Sequence, residues 1–278
     1  MSRLDEEGLG MRSGGADAPE GDGGGIRAVS RAFRVLGAFS VDRMSLGVAE
    51  IVRETGLPRT TVLRLVETLQ AEGMLEFGAD GQVRVGTRMI GLAAFADAAW
   101  TLPAASLVRM RELAAATGET VSLYVRRGLH RVVVGQAPSP NMLRHVVQTG
   151  DELPMWGGSA ALVLFGLEPP AERDELIERT ARSPESQSDA DTIRRGVESA
   201  LANGWSISHG RREPGNTGLA VPIPADPAAG ADAPARRAVL ALGGPTIRFT
   251  EDKIPGFVAA VRACAEDIAR TGLPPALH

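Results

Sequence analysis

Residues 57–73 read LPRTTVLRLVETLQAEG. Pro58 carries the fixed φ of a helix's first turn, and Gly73 can stop the helix by taking a positive φ. At 100° per residue, Val62, Leu65, Val66 and Leu69 fall on one arc and predict a core-facing stripe. Thr60, Thr61, Arg64 and Thr68 fall on the opposite arc, with Glu67 only at its edge. The predicted helix therefore has one greasy side and one side of short hydroxyls around a single long guanidinium.

The surroundings predict a small domain around it. Helical periodicity runs over residues 26–40, where Val29, Ala32, Phe33 and Leu36 share a face. A short helix over 48–55 ends at Gly56. Residues 74–77 and 82–85 read as two short strands around Gly78-Ala79-Asp80-Gly81, a hairpin with turn chemistry at its tip. Three helices followed by a hairpin are a winged helix-turn-helix in outline, over 26–86. The polar arc suits insertion into the DNA major groove: Arg64 has the reach for a guanine edge, and Thr60 and Thr61 sit near a helix N-terminus, where backbone N–H groups favour phosphate. Arg59 is placed for backbone phosphate, with Arg31 on the first helix and Arg84 in the wing strand as weaker phosphate contacts. Residues 26–90 hold nine arginines against seven acids. So small an excess binds DNA poorly in one copy, which implies a dimer.

Composition sets the outer bounds. The chain has 278 residues and 44% hydrophobic content, enough for about two domains with cores of their own. Residues 1–25 carry eight glycines and two arginines against six acids, which is the whole net charge of −4. They predict a disordered leader, and the remainder is neutral, so the acidic balance does not argue against a nucleic-acid partner. Cys264 is the single cysteine, which excludes a disulfide framework and a multi-cysteine zinc site; the four histidines form no metal-ligand spacing. No cofactor is expected. No apolar run of 18 residues exists and no export signal opens the chain, so the expected location is the cytoplasm, without a membrane partner.

Beyond the wing, residues 87–102 predict a linker helix, interrupted at Pro103, and 104–117 a further helix closed by Gly118. The rest, to 278, alternates. Strands are expected at 121–125, 131–135, 143–147, 205–208, 219–223 and 238–242, and helices at 159–166, 169–181, 191–203 and 251–270. This is an α+β sheet domain with helices expected over one face. Residues 225–234 predict a loop. Cys264 falls on the apolar side of the last helix with Val261 and Ile268, an inert packing position.

The run from Ala49 to Leu69, AEIVRETGLPRTTVLRLVETL, resembles the helix-turn-helix region of the IclR family of bacterial transcriptional regulators. The likeness continues through LAAATGETV at 113–121, GDELPM at 150–155 and residues 215–222. It implies a winged helix, a dimerising linker helix and a GAF-like effector-binding domain, in dimers or dimers of dimers on operators that govern catabolic genes in response to small organic acids.

Gly157-Gly158-Ser159-Ala160-Ala161 opens a helix with almost no side-chain bulk. By itself it reads equally as a carboxylate seat at a helix N-terminus or as a tight turn that permits close packing. The resemblance favours the seat, and places Gly158, Ser159 and Ala160 in the wall of an effector cavity. It adds Met142, His145, Met155 and Trp156 from before the loop, and Ser208, Asn216, Gly218, Ala241 and Gly243 from after it. His145 and Trp156 also read as ordinary structural residues. Trp156, Ala161-Leu162, Ala241 and Gly243 depart from the common family pattern and offer fewer polar groups. The expectation is a less polar, roomier cavity for an acid with an apolar or aromatic body and one carboxylate.

Two other classes remain. Gly157–Ala161 lacks the last glycine of a Gly-x-Ser-x-Gly nucleophile elbow, and His209 precedes Asp226 where a triad of that type needs the acid first, so a serine hydrolase fits poorly and no catalytic residue is expected. A constitutive DNA-binding protein whose second domain only oligomerises would lack a ligand response.

Overall fold

The computed structural model describes residues 26–225 and 236–277. The leader expected at 1–25, and the loop expected at 225–234 apart from Ala225, lie outside the described residues. The chain divides into two compact units between Ala96 and Asp97.

The N-terminal unit is built from α1 (Arg27–Leu36), β1 (Ser45–Leu46), α2 (Val48–Thr55), α3 (Arg59–Ala71), β2 (Leu75–Phe77) and β3 (Val83–Val85). Gly56 at φ 66° ends α2, and Gly73 at φ 71° follows α3. Val62, Val66 and Leu69 of α3 pack with Ile51, Leu75 and Val83 in one fully buried cluster, and Leu65 lies at its margin. β2 and β3 pair antiparallel with Leu75 opposite Val85. β1, two residues long and too short for a periodicity to register, adds to the far side of β3.

Two expectations about α1 change. The helix ends at Leu36 rather than Ser40, because Gly37 caps it and Ser40 turns back to bridge Arg43. Its buried stripe is Val35, with Ala32 and Leu36 beside it, while Val29 and Phe33 stand exposed. The face that meets the core keeps Ala32 and Leu36 of the expected stripe and takes Val35 in place of Val29 and Phe33.

Helix α4 (Arg88–Trp100) runs across the division between the units and buries none of its residues; Ile90, Leu92 and Phe95 are exposed. No single helix among the described residues is long and apolar enough to cross a membrane.

The C-terminal unit is a six-stranded antiparallel sheet in the order β6-β5-β4-β9-β8-β7, formed by β4 (Thr120–Arg127), β5 (His130–Ala137), β6 (Glu152–Pro154), β7 (Ser206–His209), β8 (Asn216–Pro222) and β9 (Ala238–Pro245). Helices cover both faces, not one. Val121, Leu123, Leu219, Leu240 and Leu242 point toward α5 (Ala104–Thr117) and α9 (Ile254–Thr271). The alternate residues Tyr124, Val133, Ala220, Val239 and Ala241 point toward α6 (Ser159–Gly166), α7 (Pro170–Ala181) and α8 (Ala190–Asn203). Strand alternation thus gives the sheet two apolar faces, and each needs a helical layer. Cys264 packs inside the first layer, where burial pushes its thiol up to about 12.

Residues 143–147 are not a strand. The carbonyl of Leu143 accepts from Arg248 and that of His145 from the Thr120 hydroxyl, so side chains take the groups a ladder would use. The third strand beside β5 is β6, with Val132 opposite Glu152.

Gly86 ties the wing to the end of α3. Its N–H donates to Met74 O at 2.8 Å, and a Cβ placed there would meet the Gly73 carbonyl oxygen at 2.3 Å. That obstacle is backbone and cannot swing aside. Gly86→Ala is therefore expected to destabilise the folded chain by about 1–3 kcal/mol in urea unfolding. An unchanged midpoint would show that this junction relaxes freely.

Candidate functional site

Two sets of polar residues stand out, one in each unit. On α3, Arg59, Thr60, Arg64 and Thr68 are exposed and Thr61 is half-buried. No acid lies in the first turn, so nothing offsets the partial positive charge of the helix start. Among the described residues, Arg31, Arg59 and Arg64 make no ion pair. The Thr68 hydroxyl donates to Arg64 O at 2.8 Å, leaving its lone pairs outward. Arg84 differs: it is paired with Asp80 across the wing tip, and this hydrogen-bonded guanidinium lowers the Asp80 carboxyl to about 2.

The second set lines a cavity of about 60 Å³ on the α6 face of the large sheet. The structure brings together His145, Gly158, Ser159, Ala160, Ser208, Asn216, Gly218, Ala241 and Gly243 in its wall. Three expected lining residues are elsewhere. Met142 is 98% exposed, on the irregular stretch that replaces the expected strand. Met155 and Trp156 are buried in the core between the sheet and α6, because the turn before α6 carries their side chains inward.

The wall also holds residues that the sequence reading passed over: Ser122, Tyr124, Arg131, Arg211, Arg212, Glu213 and Thr217. The wall is mixed, since these polar groups stand beside Leu153, Ala160, Ala241 and Leu242. The glycines explain how the polar groups enter it. A Cβ on Gly158 would meet Arg131 Nη2 at 2.9 Å, one on Gly218 would meet Ser159 Oγ at 2.8 Å, and one on Gly243 would meet His145 Cδ2 at 2.8 Å. Each bare position makes room for a polar side chain reaching in from another element.

Arg131 is the most unusual member. It is 4% exposed, and Nη1 donates to the carbonyls of Pro154 (2.5 Å) and Gly157 (2.8 Å). Its guanidinium lies 5.7 Å from the centre of the Tyr124 ring. Among the described residues no carboxylate pairs with it, and Nε has no hydrogen-bond partner. Burial pulls its pKa down to about 10, which still leaves it charged at neutral pH. β-Strand alternation places it on the same face as Val133, beside the N-terminus of α6.

His145 and Asn216 meet in the wall, the Asn216 amide nitrogen lying on His145 Nδ1 and 3.2 Å from Glu213 Oε2. Burial lowers the His145 pKa to about 4; Arg212 and Arg131 push the same way, and Glu213 opposes them. The ring is neutral at pH 7. His209, which a hydrolase would place near Ser159, instead bonds Thr217 Oγ1 at 2.9 Å.

With this geometry in view, the comparisons with known proteins agree with one another. The family model described as the IclR helix-turn-helix domain matches residues 28–78, and that of the bacterial transcriptional regulator IclR C-terminal matches 99–270. The chain belongs to the IclR family. A solved IclR-family regulator from Rhodococcus sp. is 38% identical, with a TM-score of 0.58, over 95% of this chain and 100% of that one. The HTH-type transcriptional repressor AllR of Escherichia coli is 28% identical over 88% of this chain and 90% of its own length. An IclR homolog from Microbacterium hydrocarbonoxydans, solved in complex with 4-hydroxybenzoate, is 25% identical over 87% of this chain and 97% of that one, with a TM-score of 0.67. The chain is thus a transcriptional regulator with a DNA-binding helix-turn-helix.

The buried His145 gives a pH signature with a defined sign. Between pH 6.5 and about 4 the unfolded ring takes up a proton and the folded one does not, so stability falls as pH drops through that window. Urea midpoints measured from pH 7 to 5 are expected to fall less steeply in His145→Gln than in the parent chain. Equal slopes would mean that His145 titrates normally.

Proposed function

We propose that this IclR-type regulator reads an operator as a homodimer and changes its DNA affinity when a small organic acid occupies the cavity beside α6. The observation that carries the DNA half is the α3 face: two exposed, unpaired arginines flanked by hydroxyls, at a helix start with no acid nearby. Arg64 reads a base edge, Arg59 and the first-turn N–H groups hold phosphate, and Thr60, Thr61 and Thr68 give short contacts across the groove. Arg31 adds a phosphate contact. Arg84 contributes less, since Asp80 already pairs with it.

Exposed apolar side chains support the dimer. Ile26, Val29 and Phe33 at the N-terminus and Ile90, Leu92 and Phe95 on α4 are more than a soluble surface leaves bare without a partner. A dimer would present two α3 helices to half-sites about 34–36 Å apart. A ligand that binds the C-terminal unit better in one dimer spacing than in another shifts DNA affinity by that difference.

The cavity supports an acid as the ligand, because its wall carries Arg131, Arg211 and Arg212 against Glu213 alone. The relative solved with 4-hydroxybenzoate supports the same class of ligand.

The test is binding to the DNA upstream of the protein's own gene at physiological salt. Clear preference over random duplex is expected; equal affinity for both would refute the reading. Arg64→Ala is expected to cost about 1–3 kcal/mol on that site and to relax base preference at one position of each half-site, read by competition with singly substituted duplexes. Undiminished discrimination would remove Arg64 from base reading.

A further inference from the structure

The leader, residues 1–25, and the first helix carry opposite charge. α1 bears Arg27, Arg31 and Arg34 at i, i+4 and i+7, one stripe along its surface, and no acid at all. Arg27 and Arg31 are exposed and Arg34 is half-buried. α1 packs against α3, whose Arg59 and Arg64 are exposed beside a helix start without acids. The other four arginines of the N-terminal unit are engaged: Arg43 with Glu54, Arg53 with Glu50, Arg84 with Asp80 and Arg88 with Glu72. Most of the unit's carboxylates are thus taken up elsewhere. Among the described residues, the five guanidiniums on α1 and α3 have no ion-pair partner.

The leader supplies what those arginines lack. Its six carboxylates, Asp5, Glu6, Glu7, Asp17, Glu20 and Asp22, stand against only Arg3 and Arg12, and it joins the fold two residues before Arg27. Twenty-five residues extend at most about 80–90 Å, whereas the 13-residue α3 is about 20 Å long, so both helices are within reach.

We infer that the leader is an internal competitor of DNA: its carboxylates occupy the unpaired arginines of α1 and α3 in the free protein, and a duplex must displace it to bind. This goes beyond the operator reading and rests on that reading for the assignment of the α3 face to DNA. A carboxylate accepts paired N–H groups from a guanidinium as a phosphate does. Each exposed pair is weak alone and screened by salt. The tether changes the balance, because it holds the leader at an effective concentration in the millimolar range. Residues 1–96 hold eleven arginines against thirteen acids, a net charge of −2, so the leader reverses the sign of the unit it is attached to.

Two consequences follow for DNA binding. Displacing the leader weakens every duplex by one factor, so the preference for operator over random DNA is unchanged while both affinities fall. The leader's hold also fades as salt rises, which makes the salt dependence of DNA binding shallower at low salt.

The test uses the full chain in two forms, the parent and one with all six leader acids amidated (Asp5→Asn, Glu6→Gln, Glu7→Gln, Asp17→Asn, Glu20→Gln, Asp22→Asn). At about 0.1 M salt the amidated chain is expected to bind random duplex at least about threefold tighter, and upstream duplex tighter by the same factor. The two chains are expected to converge towards about 1 M salt, where the screening length is roughly 3 Å. A fluorophore on Ser13→Cys reports contact directly; Cys264 is buried and its thiol is pushed up to about 12, so it stays unlabelled. Without DNA, the anisotropy of this label is expected to fall between about 0.1 and about 1 M salt in the parent background and to stay flat in the amidated one. Saturating unlabelled duplex is expected to lower it as well, although the complex is larger.

Equal affinities of the two chains at about 0.1 M salt would overturn the inference. So would tighter binding by the amidated chain with a label indifferent to salt and duplex, which is the behaviour of long-range repulsion without docking. A label released by salt but not by duplex would place the leader on another surface and overturn it equally. The operator reading is judged apart from this: it fails if neither chain prefers upstream over random duplex, whereas the salt response of the label needs no DNA.

Discussion

A guanidinium buried without a carboxylate is the constraint around which the C-terminal unit is arranged. Moving a cation out of water costs several kcal/mol after relaxation, and two carbonyl oxygens return only part of it. Arg131 is nonetheless held in place from three sides, by Pro154 O, Gly157 O and the face of Tyr124. Gly158, at φ 95°, leaves room for that guanidinium at the start of α6. A ligand of opposite charge at this position would offset that cost.

The sheet makes this arrangement rigid. Helices on both faces give two apolar layers, and the cavity occupies a gap in only one of them, where α6 begins. The gap is edged by groups tied to neighbouring strands: Ser122 and Ala241 face each other across β4 and β9, and Ser208 and Gly218 across β7 and β8. A pair between the buried Glu119 and the half-buried Arg248 pins the stretch that carries His145, since Arg248 also holds Leu143 O. Filling the cavity therefore satisfies groups on several strands at once, which is how a small ligand can bias a whole domain.

The sequence reveals the local punctuation well. Glycines 56, 73 and 118 take the left-handed conformations assigned to helix ends, and α2 and α6 span the residues that periodicity gives them. What it conceals has physical causes. Residues 143–147 carry the composition of a strand, but their carbonyls are claimed by Thr120 and Arg248 from far along the chain. Arg131 hides at the head of a β-branched run, where pattern alone signals only a strand. The bare position at 243 suggests a cavity short of polar groups, whereas in space it gives way to His145, more than 50 positions distant. The DNA-facing helix is legible because its partners are local; the cavity is not, because its partners are brought together by the sheet.

Under the proposed function, occupancy of this cavity is felt at the DNA. The most direct measurement is fluorescence anisotropy of a labelled upstream duplex titrated with the protein, with and without a small organic acid that raises its Tm, at constant ionic strength. Isotherms displaced by at least about fivefold in Kd are expected. Superimposable isotherms, in a protein shown by its thermal shift to be loaded with that acid, would contradict the proposal.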